Sequence, residues 1–280
     1  MNDDQYLTTI EQAESYNKVR PSPPQKLIAR IVEFLKEKLD EDHLETAIDV
    51  GCGSGQSTSL LAPYFKRVIG IDNCQIQIML ADVLSNSNFI DNVHYKLGEY
   101  YELGEPNESS QLVCACQSAH FFEMGMFYNE VQRVLVPNGV LAICGYSLPI
   151  PFSDRIMLGD IIQEAFETMS PYIPNQQNHV YKHRYSNDDF QSFPFCSKDI
   201  IREYFEKVEE KATVQDLIGY VKSWSAYKNF KKSKGDEAAD NIMSMFQKKI
   251  LTALDKANED PKNVEISIKF PYILLLGRKS

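Results

Sequence analysis

The chain has 280 residues, 43% of them hydrophobic and 24% charged, which is the range of an ordinary globular protein and excludes the disordered and fibrous classes. Its formal net charge of −10 opposes a phosphate backbone, so no nucleic-acid partner is expected. With no run of about 18 apolar residues and no basic-then-apolar leader at the start, a cytoplasmic chain with no membrane partner is expected.

In chain order, Leu27, Ile28, Ile31, Val32, Leu35 and Leu39 follow Pro23 and Pro24 at helical spacing and predict an amphipathic helix. Strands and helices then alternate. Residues 46–50, 67–72, 93–98, 111–117 and 140–145 read as strands, and 56–64, 75–84 and 124–136 as helices. Such alternation predicts a parallel sheet with right-handed crossovers and helices on both faces. From Pro149 to Pro194 the pattern loosens around a predicted helix at 153–169, which suggests a cap inserted into the core. Helices are predicted at 198–205, 214–230 and 238–257. A strand at 207–213 and a last strand at 264–277, ending in the apolar run Ile273 to Leu276, complete a set of seven. The six cysteines, Cys52, Cys74, Cys114, Cys116, Cys144 and Cys196, form no CxxC pair and no zinc spacing. Buried reduced thiols and no metal are expected.

The most informative segment is Asp49-Val50-Gly51-Cys52-Gly53-Ser54-Gly55, which closes the first strand and opens a helix. Glycines at alternate positions let the backbone approach a ligand closely, and a helix N-terminus presents N–H groups to it. A dinucleotide fingerprint would need its third glycine one residue later, and no Gly-Lys-Ser/Thr follows as in a P-loop. Asp72 ends the second strand seventeen positions after Gly55, where a doubly wound fold places the acid that takes a ribose diol. It is expected to be a solvated pocket residue that contributes little to core packing.

Four further segments carry sequence signals: YNKVRP at 16–21, QLVCACQSAHFF at 111–122, RVLVPNG at 133–139 and WSAY at 224–227. Together with the D-x-G-x-G-x-G loop they resemble class I S-adenosylmethionine-dependent methyltransferases. The HFF and WSAY segments resemble the trans-aconitate methyltransferase-like small-molecule subgroup, and the likeness spans nearly the whole chain. It departs at Phe121 where Trp is usual, at Cys74 where Ser is common and at Asn138 where Gly is common.

The resemblance implies an α/β, Rossmann-like class I methyltransferase fold, a seven-stranded mostly parallel sheet with helices on both faces and a helical cap insertion. A single domain over 1–280 is expected, with an N-terminal helical lid at 1–40, a cofactor-binding core at 44–147, the cap at 148–197, and C-terminal helices and last strands at 198–280. S-adenosylmethionine is the implied cofactor, leaving as S-adenosylhomocysteine. By the same resemblance Gly51, Gly53 and Gly55 approach its methionine end and Asp49 lies near its ammonium. Asp72 holds the ribose with Asn73 beside the adenosine, Glu99 reaches the adenine, Gln117 and Ser118 line the wall by the sulfonium, and Tyr16 and Arg20 close over the site.

His120 stands where a methyl acceptor should arrive and could serve as base or anion ligand. Phe121, Phe122, Trp224 and Tyr227 are candidate walls of the acceptor pocket, facing a cationic sulfonium. The partner is then a small-molecule methyl acceptor, taken as a carboxylic acid methylated on oxygen, and the chain a monomer or homodimer. Arg155, His179, Lys182, His183 and Arg184 are candidate cations for holding it. The alternative is a chain that binds S-adenosylmethionine without transferring its methyl group.

Overall fold

The computed structural model describes residues 9–39, 44–173, 184–196 and 200–280. The strands are β1 (Leu44–Val50), β2 (Phe65–Asp72), β3 (Val93–Leu97), β4 (Ser110–Cys116), β5 (Leu135–Tyr146), β6 (Ile150–Ser153), β7 (Ile156–Met157), β8 (Ile201–Thr213) and β9 (Glu265–Arg278). The helices are α1 (Ile10–Val19), α2 (Gln25–Lys36), α3 (Gln56–Leu61), α4 (Gln75–Ser87), α5 (Met124–Val134), α6 (Gly159–Met169), α7 (Val214–Lys222), α8 (Ser225–Lys234) and α9 (Asp236–Ala253).

Among the described residues the strands form one nine-stranded sheet in the order β3-β2-β1-β4-β5-β9-β6-β7, with β8 also paired to β9. β1 to β5 pair in parallel, because each is joined to the next by a crossover too long for a hairpin. β9 runs antiparallel to β5 and β8, which leaves Ile273, Leu274, Leu275 and Leu276 covered on both faces and explains their unbroken apolar run. The fold is therefore Rossmann-like, with β6 and β7 added to the seven expected strands.

Apolar cores cover both faces of this sheet. On one face Leu27, Ile28, Ile31 and Leu35 of α2 meet Ala47, Val68, Leu112 and Val140, together with the helices from α6 onward. On the other, Phe127, Val131 and Val134 of α5 meet Ile48, Ile69, Val113 and Ile143. The strand order reverses between β1 and β4, since β1 crosses to β2 on one side and β4 to β5 on the other. Ligands of open α/β sheets bind at the carboxyl ends of strands at such a switch point.

Three predicted elements take a different form. The helix expected at 153–169 starts at Gly159, because Asp154 turns the chain with φ 48° and pairs β6 with β7. Residues 201–205 are strand, not helix, since pairing along the whole length of β9 outweighs a local pattern that fits either period. The helix expected at 214–230 breaks at Ser223 and Trp224, where the Ser223 carbonyl accepts from the Arg20 guanidinium. Asn138, where glycine is common in similar chains, has φ 66°, the left-handed conformation that Asn tolerates better than other side chains. No helix of the described residues is long and apolar enough to cross a membrane.

Gly55 sits at φ 82° as the N-cap of α3, and a Cβ there would overlap the Tyr95 hydroxyl. Gly55→Ala is expected to lower stability by more than about 1 kcal/mol through backbone strain and displacement of Tyr95. Chemical denaturation followed by circular dichroism measures it, and an unchanged midpoint would count against the close approach.

Candidate active site

A pocket opens at the switch point. The carboxyl ends of β1 (Val50 to Gly53), β2 (Ile71 to Asn73), β3 (Gly98 to Tyr100) and β4 (Cys116 to Ser118) form its floor, and Tyr146 and Tyr272 close one side. From above, the segment around α1 contributes Tyr16, Asn17 and Arg20.

The glycine loop is held by its own amides. Gly51 and Cys52 donate to the Ile71 carbonyl at 2.7 and 3.0 Å, so the end of β1 is bent back over the end of β2. Gly51 and Gly53 have φ of 69° and 53°, the left-handed region that glycine enters freely. At Gly51 a Cβ would also overlap Ser118, whose hydroxyl donates to the Val50 carbonyl at 2.6 Å. At Gly53 the space is open, the nearest atom being Gln77 Nε2 at 3.9 Å. The loop thus presents bare backbone to the pocket.

Asp72 is more than a solvated acid. It is 7% exposed, and its two oxygens accept from the Gly53 amide at 2.8 Å and the Cys74 amide at 2.9 Å. Burial pushes its pKa up, opposed by these amides. The Asn73 amide also reaches this carboxylate, and with about four acceptor positions in all it keeps capacity for a ligand hydroxyl.

Asp49 lies beneath the loop, fully buried. Its Oδ2 accepts from Ser57 Oγ at 2.6 Å and Thr58 Oγ1 at 2.7 Å, while Oδ1 has no hydrogen-bond partner. Burial raises its pKa to about 6, the two hydroxyls oppose this, and Asp72 adds repulsion. Gln77 is a second buried acceptor, 3% exposed on the inner face of α4, with Oε1 unpartnered at the pocket.

The N-terminal segment is fastened over the loop by side chains distant in sequence. Ser54 Oγ donates to Asn17 Oδ1 at 2.7 Å, and Gln56 Nε2 donates to the Asn17 and Arg20 carbonyls. Arg20, 8% exposed, donates to the Tyr146 hydroxyl and the Ser223 carbonyl, both at 3.1 Å. Its guanidinium lies 4.7 Å from the centre of the Tyr16 ring.

The expected site residues Tyr16, Arg20, Gly51, Gly53, Asp72, Asn73, Glu99, Gln117, Ser118, His120 and Phe121 all line this pocket, as does Phe122. Asp49 and Gly55 support it from below without lining it. Trp224 and Tyr227 are not brought to it. They are buried in the helical layer, where Trp224 packs edge-on against Phe166 and Tyr220. Arg155 and Arg184 are exposed and do not line the pocket, and His179, Lys182 and His183 fall outside the described residues.

Sequence reading missed Asn17, Gln56, Gln77, Tyr100, Tyr146 and Tyr272. Of these Gln77 carried a signal, a polar residue on the inward face of the helix after Asp72. Among the described residues no group of three or more His, Cys, Asp or Glu side chains is arranged to hold a metal.

A doubly wound sheet with a glycine turn at its switch point and an acid on the neighbouring strand defines a binding fold for an adenosyl-type cofactor. Residues 48–143 match the family model described as a methyltransferase domain. A Dictyostelium discoideum protein named as a methyltransferase is 30% identical over 267 residues, covering 95% of this chain and 93% of that one. A Saccharomyces cerevisiae protein named as an S-adenosylmethionine-dependent methyltransferase is 30% identical over 180 residues, 62% of this chain and 60% of its own. The fold is shared with a structure described as a type II methyltransferase from Anaeromyxobacter dehalogenans, with a TM-score of 0.69 at 23% identity, covering 92% and 97% of the two chains. The chain belongs to the class I S-adenosylmethionine-dependent methyltransferases.

The residues present fit that cofactor. The unpartnered buried acceptor of Gln77 on the pocket wall suits a ligand hydroxyl or ammonium donor, the bare backbone at Gly53 leaves room beside it, and the buried acid Asp49 beneath the loop favours a cationic group above. Tyr100, stacked on Phe122 with ring centres 4.6 Å apart, supplies a flat apolar wall near Glu99.

Asp72→Asn is expected to weaken S-adenosylmethionine binding at least about tenfold, the effect of losing a charge-assisted hydrogen bond, with a small stability loss. Asp72→Ala is expected to lower both affinity and melting temperature, since the Gly53 and Cys74 amides lose their acceptor. Calorimetric titration and thermal unfolding check the pair; equal affinity in all three proteins would refute the assignment. Asp49→Asn makes the opposite stability prediction. A raised folded pKa means that the native state holds the proton more tightly than the unfolded chain, so wild-type stability is full below about pH 4 and falls as pH rises to about 6. The Asn variant is expected to lack that fall and to exceed the wild type at pH 8 by up to about 3 kcal/mol, while binding the donor less tightly. Denaturation curves at pH 4, 6 and 8 measure it.

Proposed function

We propose that this methyltransferase acts on a small molecule, transferring the methyl group to a carboxylate oxygen of a small organic acid. The observation that carries this reading is the buried Arg20 guanidinium, a cation on the pocket wall that also donates to the Tyr146 hydroxyl and the Ser223 carbonyl. In a chain of net charge −10, a cation placed beside aromatic walls favours an anionic, compact ligand. The resemblance of the HFF segment to the trans-aconitate methyltransferase-like subgroup supports the same reading, with Phe121 where that subgroup usually has Trp.

The bound cofactor supplies a methyl group already electrophilic on its sulfonium. What remains for the protein is alignment and exclusion of water. Gly51, Gly53, Asp72, Asn73, Glu99 and Gln77 hold the donor, with Asp49 beneath, and Gln117 and Ser118 form the wall at the end of β4. In this reading Tyr16, Asn17 and Arg20 act as a lid. An ionised carboxylate needs no general base. His120 therefore acts as a hydrogen-bonding ligand to the acceptor, between Phe121 and the pocket, and Arg20 provides its counter-charge.

The test is a methyl-transfer screen with radiolabelled donor over mono-, di- and tricarboxylic acids, matched to neutral alcohols and amines. At least one acid is expected to turn over, and Arg20→Gln to reduce kcat/KM for it by about tenfold or more while changing neutral substrates little. Turnover of amines or alcohols with no acid accepted would overturn the acceptor class.

A further inference from the structure

We propose that Tyr146 is a substrate-binding residue of this site, whose hydroxyl donates its proton to an oxygen of the methyl acceptor. The proposal deepens the carboxylate reading above and rests on it for the choice of probes.

Tyr146 ends β5, is 3% exposed and lines the pocket together with Arg20, His120 and Phe121. Its backbone is held by a side chain. Gln117, which leaves β4 at φ 57°, accepts from the Tyr146 amide at 2.8 Å through Oε1 and donates to the Tyr146 carbonyl at 3.4 Å through Nε2. These two bonds continue the β4–β5 ladder beyond its last strand pair, Cys116 with Cys144. The Tyr146 ring meets those of Tyr272 and Phe270 on β9, with centres 5.3 and 5.7 Å away. Backbone and ring are thus both fixed, and the hydroxyl is carried to a set place.

Among the described residues that hydroxyl has one hydrogen bond, from Arg20 Nη1 at 3.1 Å. A guanidinium has donors only, so the phenol oxygen is the acceptor in this contact and its own proton is left over. Tyr272, its partner in register on β9, shows the contrast. There the hydroxyl donates to the Pro21 carbonyl at 3.1 Å, and the proton is used. Two adjacent phenols therefore meet the same N-terminal segment with opposite polarity. A buried donor without an acceptor costs free energy, and on a pocket wall an arriving oxygen removes that cost. The guanidinium behind it polarises the O–H bond and strengthens it as a donor. Tyr146 keeps its proton throughout, since the transfer turns a sulfonium and a carboxylate into a thioether and an ester without releasing one. It is a binding group and neither acid nor base.

The experiment uses the full chain loaded with S-adenosylhomocysteine and titrated calorimetrically with acetate, succinate and citrate. The acid that binds most tightly is expected to lose about tenfold in affinity in Tyr146→Phe, the effect of one hydrogen bond to a charged group, while S-adenosylhomocysteine affinity stays within about twofold. In turnover the loss is expected in KM and not in kcat, because the carboxylate gives up its charge as the ester forms and its hydrogen bonds do not strengthen on the way. A phenol that only anchors Arg20 predicts otherwise: its removal costs nothing more once the arginine is gone. A phenol that meets the acceptor is expected to cost about a further threefold or more when Tyr146→Phe is added to Arg20→Met. With 13C at tyrosine Cζ, the wild-type signal that Tyr146→Phe removes is expected to shift when the acid is added. Equal acid affinity in wild type and Tyr146→Phe, no added cost in the Arg20→Met background, or a Cζ signal that the acid leaves in place would each overturn the proposal. An alcohol methylated in place of an acid, with its KM raised by Tyr146→Phe, would uphold the phenol and defeat the carboxylate reading alone. A protein that binds none of the acids and methylates no oxygen acceptor would defeat both.

Discussion

The carboxylate of Asp72 joins the two stretches of backbone from which the donor pocket is made. One oxygen takes the amide of Gly53 in the glycine turn, the other the amide of Cys74 at the start of α4. Without that acid the turn after β1 and the helix after β2 would each leave a polar group facing a low-dielectric cleft, at a cost of about 1 to 3 kcal/mol apiece. An amide side chain could accept from one of them. A carboxylate accepts from both and keeps lone pairs for a ligand, which is why structural and binding roles coincide at this position. Asp49 is the reverse case. Held by two hydroxyls and otherwise unpaired, it destabilises the empty fold so that a cationic group above the loop meets an anion.

Arg20 performs a similar joining role on the other side of the pocket. Its guanidinium reaches a hydroxyl at the end of β5 and the carbonyl of Ser223, and stacks on Tyr16. The Ser223 carbonyl is thereby removed from the helical ladder, and the chain restarts at Trp224 as a separate helix. The break between α7 and α8 and the seating of the N-terminal segment are thus two results of one buried cation. The clasp from Ser54 and Gln56 to Asn17 adds neutral hydrogen bonds, which are easier to open than an ion pair.

What could be read from the sequence follows from how local each feature is. The glycine loop and Asp72 were legible because backbone conformation and strand spacing dictate them within some twenty residues. The parallel core was legible for the same reason, most of its strands being apolar and the crossovers after β1, β2 and β4 helical. The extended form of 201–205 was not, because it is imposed by pairing with residues 272–276 of β9, about seventy positions later. Trp224 and Tyr227 looked like pocket walls, since an aromatic pair in a short motif reads the same whether it faces a ligand or a core. Both are buried in the helical layer, Trp224 against Phe166 and Tyr220, beside the helix break where Arg20 binds, a partner no spacing rule connects to them. Asn17, Gln56 and Tyr146 were invisible for the same reason: each acts through a partner 29 or more residues away. The extra φ > 0 residues tell a mixed story, since Asn138 substitutes for glycine at a turn, whereas Gln117 at φ 57° ends β4 inside the pocket.

The placement of charge bears on the kind of ligand this architecture can take. The donor half of the pocket is acidic, with Asp49, Asp72 and Glu99 beneath and beside it, as a cationic cofactor requires. A carboxylate acceptor would be repelled by that half and must be held from the other. The expected cations of the cap, Arg155 and Arg184, are exposed and away from the pocket, so for such an acceptor the compensating charge would fall to Arg20. Donor and acceptor would then be separated electrostatically within one pocket, which Arg20, Asp72 and Glu99 all line. Were Tyr16, Asn17 and Arg20 to close over the donor while Arg20 carried the acceptor's counter-charge, acceptor binding would depend on closure, and water would be kept from the sulfonium until both partners were in place.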